Sequence, residues 1–353
     1  LDRTYTGSYG RLKVSLSDFL SNQFINDLAS RDIEGIEASL RETSYKEDIE
    51  QLASLYKMPE LLDFAVNRHL IKKNRLAQFS PPPNARPFLK AYFMKWDIEN
   101  IKSIISSKTL GYQATETESF LIGFRNLPLG IFAGNMTQED FRIMISLGSV
   151  DAVIDYLTRY GIGTYLLVHL EEYRKTKDVT ALYSAMDSYH FSTMLDSLKF
   201  YNGDESNIRE YIRETIDSYN ILSVFKAIQL SVPQEQVSRF LFLRGNIPAN
   251  VYEEAMRMQS IEDAAGHFRP YYDLTAAYER YSRSGLLYHF EVALKQEIIS
   301  KYISRMSSLP VSLNSIFYFI LKAELERENL RAIIAAKLYN LSEERIRELI
   351  ILV

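Results

Sequence analysis

A short phrase occurs three times in this chain, at intervals of about 110 to 120 residues: Asp97-x-x-Asn100-Ile101, Asp217-x-x-Asn220-Ile221 and Glu326-x-x-Asn329-Leu330. Each copy continues with apolar residues at the fourth and fifth places after the Asn: Ile104 and Ile105, Val224 and Phe225, Ile333 and Ile334. A period this long is one small helical subdomain, not a tetratricopeptide-length or HEAT-length solenoid unit. Three copies of one subdomain predict a body with approximate threefold symmetry. Such a body suits a collar or socket better than an active-site cleft.

The phrase is embedded in a longer repeat. Gly134-Asn-Met-Thr137 and Gly245-Asn-Ile-Pro248 read as equivalent turns that open a helix, with Ser17-Asp18-Phe19-Leu20 as the version near the start of the chain. Thr137 is placed to cap its helix, with Gln138, Glu139 and Asp140 in the first turn, where acids suit the helix dipole. Next come Ile33-Glu34-x-Ile36-x3-Leu40, Val150-Asp151-x-Val153-x3-Leu157 and Ile261-Glu262-x-Ala264-x3-Phe268. A longer amphipathic helix follows around Leu61 to Phe79, Thr180 to Phe200 and Gly285 to Met306, and the Asn helix closes each unit. The expectation is therefore an all-α chain of three subdomains with about four helices each, residues 1–125, 126–242 and 243–353. Turn chemistry marks breaks at Ser80–Pro87 inside the first unit, at Asn126–Gly130 between the first and second and at Arg244–Pro248 between the second and third, and no flexible linker separates the units. Low Gly and Pro, 14 and 10 in 353 residues, agree with a mostly helical reading.

In the first copy, positions 97, 101, 104, 105 and 108 fall within one arc of roughly 100°, with Asn100 at its edge. The acid thus lies near the middle of an apolar face. A carboxylate buried there is costly unless it is hydrogen-bonded. One acid per repeat calls for one matching donor per repeat, an Arg or a set of backbone N–H groups. Two roles stay open for Asp97, Asn100, Asp217, Asn220, Glu326 and Asn329: fixing helix packing, or lining a cavity that receives a basic partner.

Other chemistry is sparse. Without cysteine there is no disulfide, thiolate zinc site or thiol nucleophile. A net charge of −4 argues against nucleic acid as a partner. Of the five histidines, His169 with Glu171 and Glu172 comes nearest to a metal cluster, but it lacks the spacing that sets two ligands on one helix face. Gly161-Ile-Gly163 reads as a turn between helices, and neither a phosphate-binding loop nor a nucleophile elbow is present. The sequence thus points to no catalytic residue, cofactor, metal or small-molecule substrate. Two surface candidates remain. One is the basic run Arg68, Lys72, Lys73 and Arg75, read as a solvated face or as a contact for an acidic subunit or lipid headgroups. The other is the aromatic pair Tyr271 and Tyr272 together with Phe317-Tyr318-Phe319: 24 Tyr and 19 Phe is a high content, most of it expected in the core, and Tyr is also favoured at interfaces where one end stays wet. The opening Leu1-Asp2-Arg3-Thr4-Tyr5 has no signal-peptide pattern. The longest uncharged stretch, Met306 to Leu321, has 16 residues, shorter than the roughly 20 a spanning helix needs.

The C-terminal copy, Glu324-Leu-Glu-Arg-Glu-Asn-Leu-Arg-Ala-Ile-Ile-Ala-Ala-Lys337 followed by Leu341-Ser-Glu-Glu-Arg-Ile-Arg347, resembles the C-terminal signature of the C subunit of archaeal-type ATP synthases, a family that extends to the d subunit of vacuolar ATPases. Ser8-Tyr9-Gly10-Arg11-Leu12-Lys13 is similar to that family's opening segment, departing from it at Gly10 and Lys13. The resemblance implies a pseudo-threefold helical funnel and a non-catalytic rotor part with no cofactor. It implies two partners, the central-stalk subunits and the membrane proteolipid ring, and a peripheral position on the cytoplasmic face without a spanning segment. The alternative reading is an all-α scaffold or adaptor outside any rotary machine.

Overall fold

A computed structural model describes residues 3–79, 81–121, 134–199, 203 and 205–353. Every regular element among them is helical. After an opening helix, Arg3–Leu16, one series of six helices recurs three times. It starts with Asn22–Leu28, Gln138–Ser146 and Ala249–Met256, then Ile33–Leu40, Val150–Leu157 and Ile261–His267. A third helix follows (Lys46–Ala53, Ile162–Thr176, Thr275–Ser284), then the long one (Glu60–Phe79, Thr180–Ser197, Tyr288–Ser307). The acid helices are Arg86–Thr109, Ser206–Gln229 and Leu313–Leu338, and a short helix ends each series: Ala114–Leu121, Gln234–Ser238 and Glu343–Leu349. The third and the last helix of each series are additions to the four expected from the sequence. The break at Asn126–Gly130 lies outside the described residues, as does Ser80.

Local chemistry sets the helix starts. Thr137 caps its helix, accepting from the Asp140 N–H while the Asp140 carboxylate accepts from the Thr137 N–H, a reciprocal capping box. Asp32, Ser149 and Ser260 cap the three second helices, each accepting from the N–H three residues on. Gly161 takes a positive φ of 81° between Thr158–Tyr160 and Ile162–Thr176, so of the expected turn Gly161-Ile-Gly163 only Gly161 is a turn, while Ile162 and Gly163 already belong to the helix.

The chain divides into two compact units, residues 67–200 and residues 1–66 with 201–353. In the first, Ile98, Ile101, Ile104 and Ile105 of one acid helix pack on Phe141, Met144, Val153 and Leu157. That acid helix belongs to the first sequence repeat, while the helices it packs on open the second. In the other unit Phe225 meets Phe290 at 4.5 Å and Phe268 at 6.0 Å between ring centres, again joining an acid helix to the repeat that follows it. The acid helix Leu313–Leu338 is buried on nearly all sides and packs on Asn22–Leu28 and Ile33–Leu40, the opening of the first repeat. Phe19 against Phe319, 5.4 Å apart and edge-on, is one contact of that seam.

Candidate functional site

The three acids are buried, and of the two kinds of donor expected, backbone N–H groups reach all of them. Asp97 accepts from the Asn135 N–H at 2.6 Å and the Met136 N–H at 3.2 Å. Asp217 accepts from the Asn246 N–H at 2.8 Å, the Ile247 N–H at 3.1 Å and the Tyr252 hydroxyl at 2.8 Å. Glu326 accepts from the Leu20 N–H at 2.6 Å and the Tyr45 hydroxyl at 2.8 Å. Each acid therefore holds the turn that opens the next repeat, and the last acid holds the first turn. Charge-assisted bonds of this kind are among the stronger ones available to a buried carboxylate.

The turns and the acids are matched in size. A Cβ on Gly134 would lie 2.1 Å from Asp97 Oδ1, and one on Gly245 would lie 2.0 Å from Asp217 Oδ1. Both glycines are needed because the carboxylate presses against the backbone. Alignment on the caps Thr137 and Ser21 moves the expected pairing by one residue and sets Asp18 where the second turn has Gly134; the acid facing it is Glu326, one methylene longer. The longer arm reaches the Leu20 N–H without demanding a bare backbone.

Burial raises Asp97 to about 7, against the lowering effect of the Asn135 and Met136 N–H groups, and the Asp140 charge adds to the rise. Burial also raises Asp217; the Asn246, Tyr252 and Ile247 hydrogen bonds work against it. Tyr45 is pushed up by burial and by the Glu326 charge, which keeps its hydroxyl a donor. A cavity of about 210 Å³ borders Asp97, with Lys90, Asn135, Arg159 and Tyr160 in its wall.

The Asn residues make a second tie. Asn220 Nδ2 donates to the Phe242 carbonyl at 2.9 Å while the Phe242 N–H donates to Asn220 Oδ1 at 3.0 Å. Asn329 does the same with Ile351, at 2.8 Å in both directions. The side-chain amide mimics a strand partner, which is why Asn, with one donor side and one acceptor side, stands here and Asp does not. Both partners lie 22 residues beyond their Asn. Asn100 is buried, and the equivalent position 122 is outside the described residues. One ion pair also joins each acid helix to the long helix of the next repeat: Lys102–Asp187 at 2.6 Å, Glu214–Lys301, and Arg331–Asp63 at 2.6 Å.

The surface candidates separate. In the basic run Arg75 is exposed, Arg68 and Lys72 are half-buried, and Lys73 is buried at 6% exposure. The run is therefore not one solvated face. Tyr271 is exposed but Tyr272 is buried, and Phe317 and Phe319 are fully buried core residues. His190 is buried against the Tyr92 carbonyl at 3.2 Å and is lowered to about 3 by burial and the Lys95 charge, so it is neutral. Among the described residues no three His, Asp or Glu side chains are placed to hold a metal ion, and no helix is long and apolar enough to cross a membrane. Sequence reasoning missed Tyr45 and Tyr252 as donors. It also missed the Asn tie, although the fixed interval to Phe242 and Ile351 is visible once the phrase is aligned.

The geometry defines a class first: an all-helical repeat protein in which a buried carboxylate binds each repeat to the next. Residues 9–349 match the family model described as ATP synthase (C/AC39) subunit, and the chain belongs to that family. Its relatives include proteins named as the C subunit of A-type ATP synthase from Thermoplasma volcanium, 45% identical over 99% of both chains, and from Thermoplasma acidophilum, 42% identical over the same shares. A more distant one, from Methanocaldococcus jannaschii, is 26% identical over 97% of this chain and 84% of its own.

Proposed function

We propose that this chain is the non-catalytic coupling component of a rotary A-type ATP synthase, joining the central stalk to the membrane proteolipid ring on the cytoplasmic side. Family membership supports the setting. The observation that carries the role is the cyclic order of the acid ties, with Glu326 of the last repeat on Leu20 of the first. Three repeats of residues 1–125, 126–242 and 243–353, each bound to its successor, would close into a pseudo-threefold socket able to transmit torque without shearing. In this reading the acids hold the socket together and leave partner contact to the surface.

Calorimetric titration with the central-stalk heterodimer of the same organism, at two salt concentrations, tests the role. Saturable one-to-one binding is expected. No heat of binding at about 10 μM or above, with the proteolipid ring present, would contradict the assignment.

A further inference from the structure

The helices packed on Asp97 lack two tyrosines that the corresponding helices carry around Asp217. At the interval that relates Gly134 to Gly245, Phe141 corresponds to Tyr252, Ser149 to Ser260 and Gly161 to Tyr272. Tyr252 gives its hydroxyl to Asp217 at 2.8 Å. Tyr272 is buried within reach of the same acid: burial, and then the Glu214 and Asp217 charges, push its hydroxyl up. In the first repeat Tyr45, which donates to Glu326, falls at the place of Gly161 when counted from the caps Ser21 and Thr137. Around Asp97 one of these places holds a ring without a hydroxyl and the other holds no side chain. The Tyr160 hydroxyl is no substitute, because it donates to Asp140 at 2.6 Å. What remains is the cavity of about 210 Å³, bordered by Tyr160 and Ile162, the two neighbours of Gly161.

The rest of the lining names what fits. Met94, Ile98, Ile101 and Met136 make an apolar wall, and an apolar cavity of about 150 Å³ is already enough for a benzene ring. Asp97 Oδ1 and Oδ2 each accept one N–H, so each keeps a lone pair. Because this carboxyl titrates near 7, it is met both with and without its proton. A hydroxyl, which donates and accepts, suits either form. Lys90 and Arg159 line the same cavity from exposed positions, Arg159 held over the Tyr156 ring at 3.9 Å. Neither cation meets a carboxylate at ion-pair distance among the described residues. We propose that this cavity is a binding site for a phenol that bears an anionic group, with the ring on Ile98, Ile101 and Met136, the hydroxyl on Asp97 and the anion at Lys90 and Arg159. The ligand gives Asp97 from outside the hydroxyl that Tyr252 gives Asp217 from within. The same chemistry comes from a free phenolic acid or from a tyrosine beside an acidic residue on another polypeptide. The site does not depend on the coupling role.

The test is a saturation-transfer NMR titration of the full chain with 4-hydroxyphenylacetate and, separately, with the peptide acetyl-Asp-Tyr-Asp-amide. At least one should saturate a single site with a Kd of about 1 mM or tighter. Phenylacetate, which lacks the hydroxyl, and tyramine, which carries a cation in place of the anion, should bind at least about tenfold more weakly. Lys90→Gln combined with Arg159→Gln changes only exposed positions. It should keep the wild-type melting curve and weaken the anionic probe about tenfold, leaving the affinity for plain phenol unchanged. Met94→Trp, which fills the cavity from a half-buried position, should abolish binding of every probe. Tighter binding of the peptide would assign the site to a tyrosine of a partner chain, and tighter binding of the free acid to a small molecule. Equal affinity for phenylacetate, full affinity in the double variant, or no saturation by either probe up to about 10 mM would overturn the site.

Discussion

Asp97 and Asp217 occupy the same place in the same phrase and face the same Gly-Asn turn, yet their surroundings differ. Asp217 has a third donor, the Tyr252 hydroxyl, in addition to its two N–H groups. Asp97 has two N–H donors and borders a cavity. A buried carboxylate is stabilised only by what donates to it, so one motif yields a well-satisfied tie in one unit and a titratable tie in the other. The repeat sets the geometry of the tie; the neighbours set its strength.

The hardest way to break the comparison is to fill the space both ties require. Gly245→Ala and Gly134→Ala each drive a Cβ into a carboxylate oxygen, and each should cost about 3 kcal/mol or more. The Gly245 change should cost more, because Asp217 would move off the Tyr252 hydroxyl as well. Urea unfolding checks both. For residues 67–200 it can be followed by the fluorescence of Trp96, the one tryptophan in the chain and the neighbour of Asp97.

The pH dependence comes next. Asp97 titrates near 7 when folded against about 3.9 when unfolded, so between those values the folded state holds the extra proton. Taken alone, this carboxyl contributes about 4 kcal/mol of stability that is full below about pH 4 and lost as pH rises through 7. His190 in the same unit, lowered to about 3, opposes it over most of that window, because the unfolded imidazole binds a proton that the folded one does not. The stability difference between the wild type and Asp97→Asn should therefore fall by about 4 kcal/mol between about pH 4 and 7, leaving the variant with the His190 slope of opposite sign. Asp140 does not disturb the window: burial raises it, but hydrogen bonds from Tyr160, Thr137 and Tyr156 outweigh that and hold it at about 2, so its contribution is lost only at lower pH. A difference between wild type and Asp97→Asn that stays constant with pH, or rises with it, would refute the assignment.

Asn329→Asp keeps the acceptor for the Ile351 N–H but removes the donor to the Ile351 carbonyl, and should cost about 2 kcal/mol. Tyr252→Phe is expected to have the smallest effect. It takes from Asp217 the one donor that Asp97 lacks, costing about 1 kcal/mol and making the surrounding unit more sensitive to pH, as Asp97 makes its own. No gain in pH sensitivity would mean that the difference between the ties lies elsewhere.

The sequence showed much of this plan wherever the signal was local. The acid–Asn phrase, the Thr137 cap and the starts at Ile33, Val150 and Ile261 all depend on residues within a few places of one another. Lys46–Ala53 and Thr275–Ser284 escaped notice because short, charged helices bury too little to leave an apolar stripe. Long-range partners were invisible for a different reason. Nothing near Glu326 announces Leu20 and Tyr45 at the other end of the chain, and nothing near Lys73 announces that it is buried. Phe317 and Phe319 looked like surface aromatics only because the helix that carries them is enclosed on nearly every side.

The three acids bind the chain to itself. The most direct test is the stalk titration repeated with Asp97→Asn, Asp217→Asn and Glu326→Gln combined, beside the melting curve of the same variant. A clear drop in melting temperature is expected, with the folded protein binding the stalk within about twofold of wild type. An unchanged melting temperature with lost, salt-sensitive stalk binding would show that the acids face the partner, and would contradict it.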